Sequence, residues 1–266
     1  MKRNLLLLLL IAAACGKNST QNTIPVPDLI QASQTRANIV GRILLYDEDG
    51  NLAADNSGIT VALDNSTVRA TTDASGNWKL DSIPQGTYDI TYTKAGYGTG
   101  KIMGLHHAAT NHQTTSLAKP EVMSALSGIE VTALQIAPFD KNPTVQNMIT
   151  LGLAHNGVFI EPIFTNTSGK LKPVRFYFSD KSDVSSKNYV ATFKLKMNGT
   201  NEITETMIFD TKWMNSNGFK AGQTIYVIAH GDGSVDDGYD DPVAGVRIYP
   251  SISPKASPVA SFVVPK

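Results

Sequence analysis

From Ala37 to its end, this 266-residue chain is built of short apolar–polar alternating runs, each closed by a turn signal after about ten residues. That rhythm constrains the fold more than any other feature. Side chains alternate across a strand with period two, and antiparallel strands are joined by tight turns. "NIVGRILLYDEDGN" places Ile39, Gly41, Ile43 and Leu45 on one face and turns at Asp49-Gly50. "GITVALD" turns Ile59, Val61 and Leu63 inward. "VRATTDASGNWKLDSI" predicts a strand, a turn over Ser75-Gly76-Asn77, and a strand with Trp78 and Leu80 on one face. "PQGTYDITYTKAGY" turns at Pro84-Gln85-Gly86 and then alternates Tyr88, Ile90 and Tyr92.

The same reading extends to the second half. Strands are expected in "IEVTALQIA", "NMITLGLAH", "VFIEPIFT", "KPVRFYFSD", "YVATFKLKM", "ITETMIF", "TIYVIAHG" and "ASFVVP". Val174, Phe176 and Phe178 should face one way, Arg175 and Tyr177 the other. Phe193, Leu195 and Met197 should oppose Lys194 and Lys196. Asn156-Gly157 has the composition of a two-residue hairpin turn. "DTKWMNSNGFKAGQ" has room for one helical turn carrying Trp213, ended by Gly218 and Gly222. The expectation is an all-β chain of two β-sandwich domains, 37–118 and 127–266, with a linker at 119–126 around Lys119-Pro120. The second sandwich is expected to be immunoglobulin- or fibronectin-like.

The first half carries a more specific pattern. "GRILLYDEDGN", "GITVAL" and "TTDASGNWKLDSIPQGTYDITYTKAGY" follow one another. Thr72, Asp73, Gly76 and Trp78 form a T-D-x-x-G-x-[FWY] turn. Pro84, Gly86 and Tyr88 form P-x-G-x-Y, and Gly96-Tyr97 closes the series. This order resembles the carboxypeptidase regulatory-like domain, a transthyretin-like sandwich. The resemblance covers roughly a third of the chain and implies a fold. Modules of this kind are accessories to many proteins, so it implies no activity. The zinc ligand pattern H-x-x-E of the peptidase that gave the module its name is absent.

The N-terminus predicts location. Lys2 and Arg3 precede an apolar run from Leu5 to Ile11, then Ala12, Ala13, Ala14 and Cys15, the only cysteine. This is the layout of a secretory signal peptide, and the run falls short of the roughly 20 residues that span a bilayer. The alanines before Cys15 resemble the lipobox of bacterial lipoproteins. That resemblance implies cleavage after residue 14, acylation at Cys15 and stable anchoring without a transmembrane helix. Residues 15–36 read as a flexible tether, with Pro25, Pro27 and many small polar residues. The expected partner of this end is a membrane, with the outer membrane as location and the leaflet left open. A single cysteine also permits no internal disulfide.

Charge is balanced, 23 basic against 23 acidic residues. Nothing points to nucleic acid as a partner. Three candidate sites stand out. His106, His107 and His112 cluster in "HHAATNHQTTS", without a metal-ligand spacing; the plainer reading is the polar end of the first sandwich. Asp232, Asp236, Asp237 and Asp240 crowd "GDGSVDDGYDD", and calcium is the cation such a loop would take, although the EF-hand pattern is not met. Calcium is the one cofactor considered. Tyr97, Tyr239 and Tyr249, if exposed, could stack on sugar or peptide. No nucleophile motif and no phosphate loop is present. Two functions follow. One is a non-catalytic envelope binding or scaffold module with a glycan or protein ligand. The other is a metal-assisted hydrolase joining Asp236 and Asp240 to His155 or His230.

Overall fold

The computed structural model describes residues 35–139, 150–152, 156–197 and 208–266. Residues 35–266 form one compact unit. The chain is almost entirely β, as the rhythm predicts, and its sheets stack face to face without closing into a barrel.

The first sandwich follows the expected strands closely. One sheet holds β1 (Arg36–Tyr46), β4 (Asn77–Pro84), β7 (Thr115–Ser116) and β8 (Glu121–Ser124). The other orders β3 (Arg69–Thr71), β2 (Thr60–Leu63), β5 (Gly86–Thr93) and β6 (Gly100–His107). Ile39, Ile43, Leu45, Ile59, Val61, Trp78, Leu80, Ile90 and Tyr92 meet between them in one buried cluster. The stretch expected as a linker, 119–126, is not one. Residues 121–124 pair in parallel with β1, from Ile43↔Glu121 to Tyr46↔Ser124. Burial of Met123 in the first core explains the pairing, since a strand that lends a core residue must also satisfy its backbone.

The second sandwich packs β13 (Ile208–Asp210), β10 (Gly157–Phe164) and β9 (Val131–Pro138) against β12 (Ala191–Met197), β11 (Lys172–Ser179), β14 (Thr224–Gly231) and β17 (Ala260–Val263). A hairpin, β15 (Tyr239–Asp241) and β16 (Val246–Ile248), precedes β17. The core gathers Val174, Phe176, Phe178, Phe209, Met214, Phe219, Val227 and Phe262. Helix α1 (Thr211–Ser216) is the expected turn; the Asp210 carboxylate caps it by accepting from Trp213 N at 2.7 Å. Pro162 lies on β10 past the described pairs with β13, opposite Leu134 of β9.

Three expectations need correction. Asn156-Gly157 is not a two-residue turn: Gly157 is the first paired residue of β10, opposite Asp210. Its lack of a side chain serves close approach, because a Cβ there would sit 2.5 Å from Phe209 O. Thr150–Gly152, part of an expected strand, form a helical turn instead, ended by Gly152 at φ 70°. The rest of that stretch, and most of "ITETMIF", lies outside the described residues. Finally, β11 alternates as predicted, but all eight of its residues are buried. Its second face carries Arg175 and Tyr177, covered by a smaller cluster with Val184, Tyr189, Ile228 and Tyr249.

Candidate functional site

The acidic loop is the strongest sequence candidate, and the structure divides its carboxylates instead of gathering them. Asp232 and Asp237 are buried, at 1% and 6% exposure, while the Asp240 side chain is 84% exposed. The buried pair lies where β8, the segment after it, and the 231–253 region meet. Asp232 Oδ2 accepts from Arg175 Nε at 2.8 Å, with Lys194 Nζ 3.7 Å away. The Arg175 guanidinium in turn lies 3.3 Å from the centre of the Tyr249 ring. Asp237 Oδ2 accepts from Ser124 N at 2.9 Å. Ser251 Oγ lies 3.0 Å from Asp237 Oδ1 and 3.3 Å from Asp232 Oδ1, tying the two acids together. Burial pushes the Asp237 carboxyl up to about 6; the Ser124 and Ser251 donors oppose that shift, and the Asp232 charge adds to it.

These contacts belong to a longer polar joint between the two sandwiches. Glu48 Oε1 accepts from Ser127 Oγ at 2.8 Å and from Gly128 N at 3.1 Å. Asp49 accepts from Lys172 Nζ at 2.6 Å and Lys170 Nζ at 2.7 Å, which holds its carboxyl down at about 2. Ser234 N donates to Glu48 O, and Ser127 N to Ser251 O. Glycines of the loop, and Gly98 of the first sandwich, allow this approach. A Cβ on Gly231 would stand 2.4 Å from Ile129 O, one on Gly233 2.4 Å from Ser124 Oγ, and one on Gly98 2.3 Å from Pro250 O. The composition that suggests a cation loop is therefore the composition of a close-packed joint.

The other two acids face outward. Asp236 accepts from Gly238 N at 3.0 Å, and Asp240 from Arg247 Nη1 at 3.2 Å. Asp241 caps its own turn, accepting from Val243 N and Ala244 N. The structure thus does not bring Asp232, Asp236, Asp237 and Asp240 together. Among the described residues, no three His, Cys, Asp or Glu side chains gather as metal ligands. Among the described residues, His230 does not join the exposed Asp236 and Asp240 as the hydrolase constellation requires. His230 is buried with Nδ1 2.8 Å from Ser253 O, and burial lowers its affinity for a proton. His155 lies outside the described residues.

The histidine cluster also separates. His107 ends β6 fully buried, with Nδ1 2.7 Å from Thr115 Oγ1 and Nε2 3.1 Å from Ile83 O, so both ring nitrogens have partners. His112 is exposed, with Nδ1 2.9 Å from Arg36 O. Of the three tyrosines, Tyr249 is not exposed but buried beneath Arg175, and Tyr97 and Tyr239 are half-buried. Cys15 and its flanks lie outside the described residues. No helix among the described residues is long and apolar enough to cross a membrane.

No family model matches this chain, and no curated protein does. Similar solved structures exist. A type II cohesin–X–dockerin complex from Acetivibrio cellulolyticus is 26% identical over 34% of this chain and 58% of that one, with a TM-score of 0.29. This chain thus spans 58% of the chain it matches there. A candidate carbohydrate binding protein from Bacteroides uniformis is 12% identical over 86% of this chain and 99% of its own, with a TM-score of 0.27. A DUF3823 family protein from Parabacteroides merdae is 10% identical over 86% and 99%, with a TM-score of 0.22.

Sequence reasoning missed most of the joint. Glu48, Ser124, Arg175 and Ser251 lie on four separate segments, and no local pattern announces their meeting. One signal was present: Arg175 stands in the middle of an apolar strand, where a buried cation demands an acid partner.

Proposed function

We propose that this chain is a non-catalytic binding or scaffold module of the bacterial cell envelope, held on a membrane by an acylated Cys15. The observation that supports this reading best is the fate of the acidic loop. Its buried members serve as structural glue: Asp232 neutralises Arg175, and Asp237 bonds the first sandwich to the second. Its exposed members neutralise Arg247. Side chains so engaged hold two sandwiches in one orientation, which suits a rigid head that presents loops to a ligand. The ligand class in this reading is a glycan.

The test uses the full chain in detergent. Affinity electrophoresis through gels carrying soluble polysaccharides should show retarded migration, while the same mixtures release no reducing ends. Release of reducing ends that Asp236→Asn abolishes would replace this reading with the hydrolase. Labelling with a clickable fatty acid should mark the wild type and spare Cys15→Ala; equal labelling of both would remove the anchor from it.

A further inference from the structure

Three of the open clefts on the described surface differ in the kind of polar groups the protein leaves uncommitted. The groove beside the β15–β16 hairpin, about 520 Å3, is mainly apolar, and its charges are paired: Asp240 with Arg247, Asp241 with its own turn. The groove beside Trp78, about 420 Å3, has Arg42 donating to Ser75 O and Asn77 donating to Asp73. Its groups left uncommitted among the described residues are donors: the buried Trp78 Nε1, the Ser116 hydroxyl and the unpaired Lys119 ammonium, which leaves it cationic. The third, about 660 Å3, opens at the end of the first sandwich where Arg36 begins β1. It lies between the turn after β2 and the turn joining β4 to β5.

This third cleft is built differently. Its apolar floor is Leu63, Val68 and Ile83, with the Tyr88 ring held at one side because the phenol donates to Pro84 O at 2.9 Å. Over that floor the Asn65 amide, the Ser82 and Thr87 hydroxyls and Asp89 Oδ2 have no hydrogen-bond partner among the described residues, and Asp89 uses only Oδ1, for Gly104 N. Two of these residues are held in left-handed backbone without being glycine: Asn65 at φ 57° and Ser82 at φ 55°. Both are fixed there, Ser82 N by donating to Asn38 Oδ1 and the Asn65 turn by Leu63 N donating to Val68 O. Such conformations cost energy and concentrate at functional sites. Charge in the cleft balances. Arg36 offsets Asp89, and Asp64 is already matched by Lys101 at 3.1 Å. An ionic ligand would find no surplus of opposite charge.

We propose that this cleft binds a neutral glycan. A sugar ring offers apolar C–H faces to the floor and hydroxyls, each both donor and acceptor, to a mixed set of amide, hydroxyl and carboxylate groups. A neutral lining excludes uronic and sialic acids as preferred ligands. The inference rests on the binding-module reading above and adds the place of the site and the neutral character of the glycan.

The experiment is calorimetric titration of the full chain in detergent with neutral hexasaccharides of glucose, mannose and xylose, and with a galacturonic acid hexasaccharide as the charged arm. The double variant Asn65→Gly with Thr87→Val removes two uncommitted groups while leaving the left-handed backbone to a residue that favours it. At least one neutral hexasaccharide should bind with Kd below 1 mM, about the weakest useful affinity. The double variant should weaken it at least tenfold with an unchanged melting temperature, and Arg42→Ala in the neighbouring groove should leave it unchanged. Binding that ignores the double variant would overturn the cleft and leave the binding-module reading standing. Preference for the galacturonate arm would overturn the neutral assignment. If no oligosaccharide binds, the cleft inference fails, and if reducing ends are released as well, the binding-module reading fails with it.

Discussion

The two sandwiches and the joint between them are built on opposite principles. Each sandwich closes around a dry cluster of aliphatic and aromatic side chains. The joint is held by carboxylates, an arginine, two lysines and several serines. Dry cores tolerate exchange of one apolar residue for another of similar volume. A buried polar joint does not, because each group removed leaves its partner desolvated and alone. The first test removes Arg175. With Arg175→Ala, Asp232 stays buried beside Asp237 with the more distant Lys194 as its remaining cationic partner, and the cost should be about 3–5 kcal/mol. Trp78→Ala, a pure core deletion, should cost a similar ~3–5 kcal/mol for a different reason, the cavity. Chemical denaturation separates them: the double variant Arg175→Met with Asp232→Leu should recover much of the first loss, and no change at a second site should recover the loss at Trp78. No recovery in the double variant would mean that the joint depends on geometry more than on charge.

The second test uses pH. In the unfolded chain Asp237 ionises near 3.8, and in the folded one near 6, because burial dominates over its two donors. Between those values the folded state keeps a proton that the unfolded state has lost. The contribution of this group is therefore complete below about pH 4 and is lost as pH rises through 6, by about 3 kcal/mol for a shift of this size. Glu121, also raised by burial, adds a slope of the same sign, and Asp49, held low by its lysines, acts only at more acid pH. The difference in stability between Asp237→Asn and wild type isolates the one residue. It should favour the variant increasingly from pH 4 to pH 7; a difference that is flat with pH would remove the buried acid from the account of the joint.

These two effects also mark what the sequence could and could not disclose. Period-two alternation correctly placed Ile39, Ile59, Val61, Leu80 and Phe176 in cores, because a strand's inward face is written in adjacent residues. The Asp210-to-Gly218 helical turn was legible for the same local reason. The acidic loop was not. Asp232 and Asp236 look alike in sequence, and only contacts from residues far along the chain bury one and expose the other. The end cleft was equally hidden, since Arg36, Asn65 and Ser82 come from three separate turns and strand ends.

Glycine gives a smaller and sharper comparison. Gly98 and Gly96 are two residues apart and do different things. A Cβ on Gly98 would strike the Pro250 carbonyl of the second half, whereas one on Gly96 would meet nothing within 4 Å and would be strained only by φ 82°. Gly98→Ala should cost about 1–3 kcal/mol by forcing the halves apart, and Gly96→Ala about 1 kcal/mol from backbone strain alone. Hydrogen exchange distinguishes them beyond the totals. Gly98→Ala should speed exchange at Ser124 N, which donates across the joint to Asp237, and Gly96→Ala should leave it unchanged. Equal protection in the two variants would mean that the joint yields without opening.

The smallest expected effect belongs to the exposed half of the acidic loop. Asp236 and Asp240 share Arg247 at 3.7 and 3.2 Å on an open surface. Exposed pairs of this kind contribute about 0–1 kcal/mol, because water screens the attraction and ordering two long side chains costs entropy. Asp236→Asn with Asp240→Asn should therefore change stability by no more than about 0.5 kcal/mol. Calcium sharpens the same contrast. A cation needs six to eight oxygens converging on one point, and here two of the four acids are turned inward to Ser124 and Arg175. Millimolar calcium should leave the melting temperature of wild type and double variant alike. If calcium, and not magnesium, raises the wild-type value and the double variant loses that rise, then the loop rearranges to gather its acids. The joint would in that case be a state that calcium competes with, since Asp237 would have to release Ser124 to join the metal.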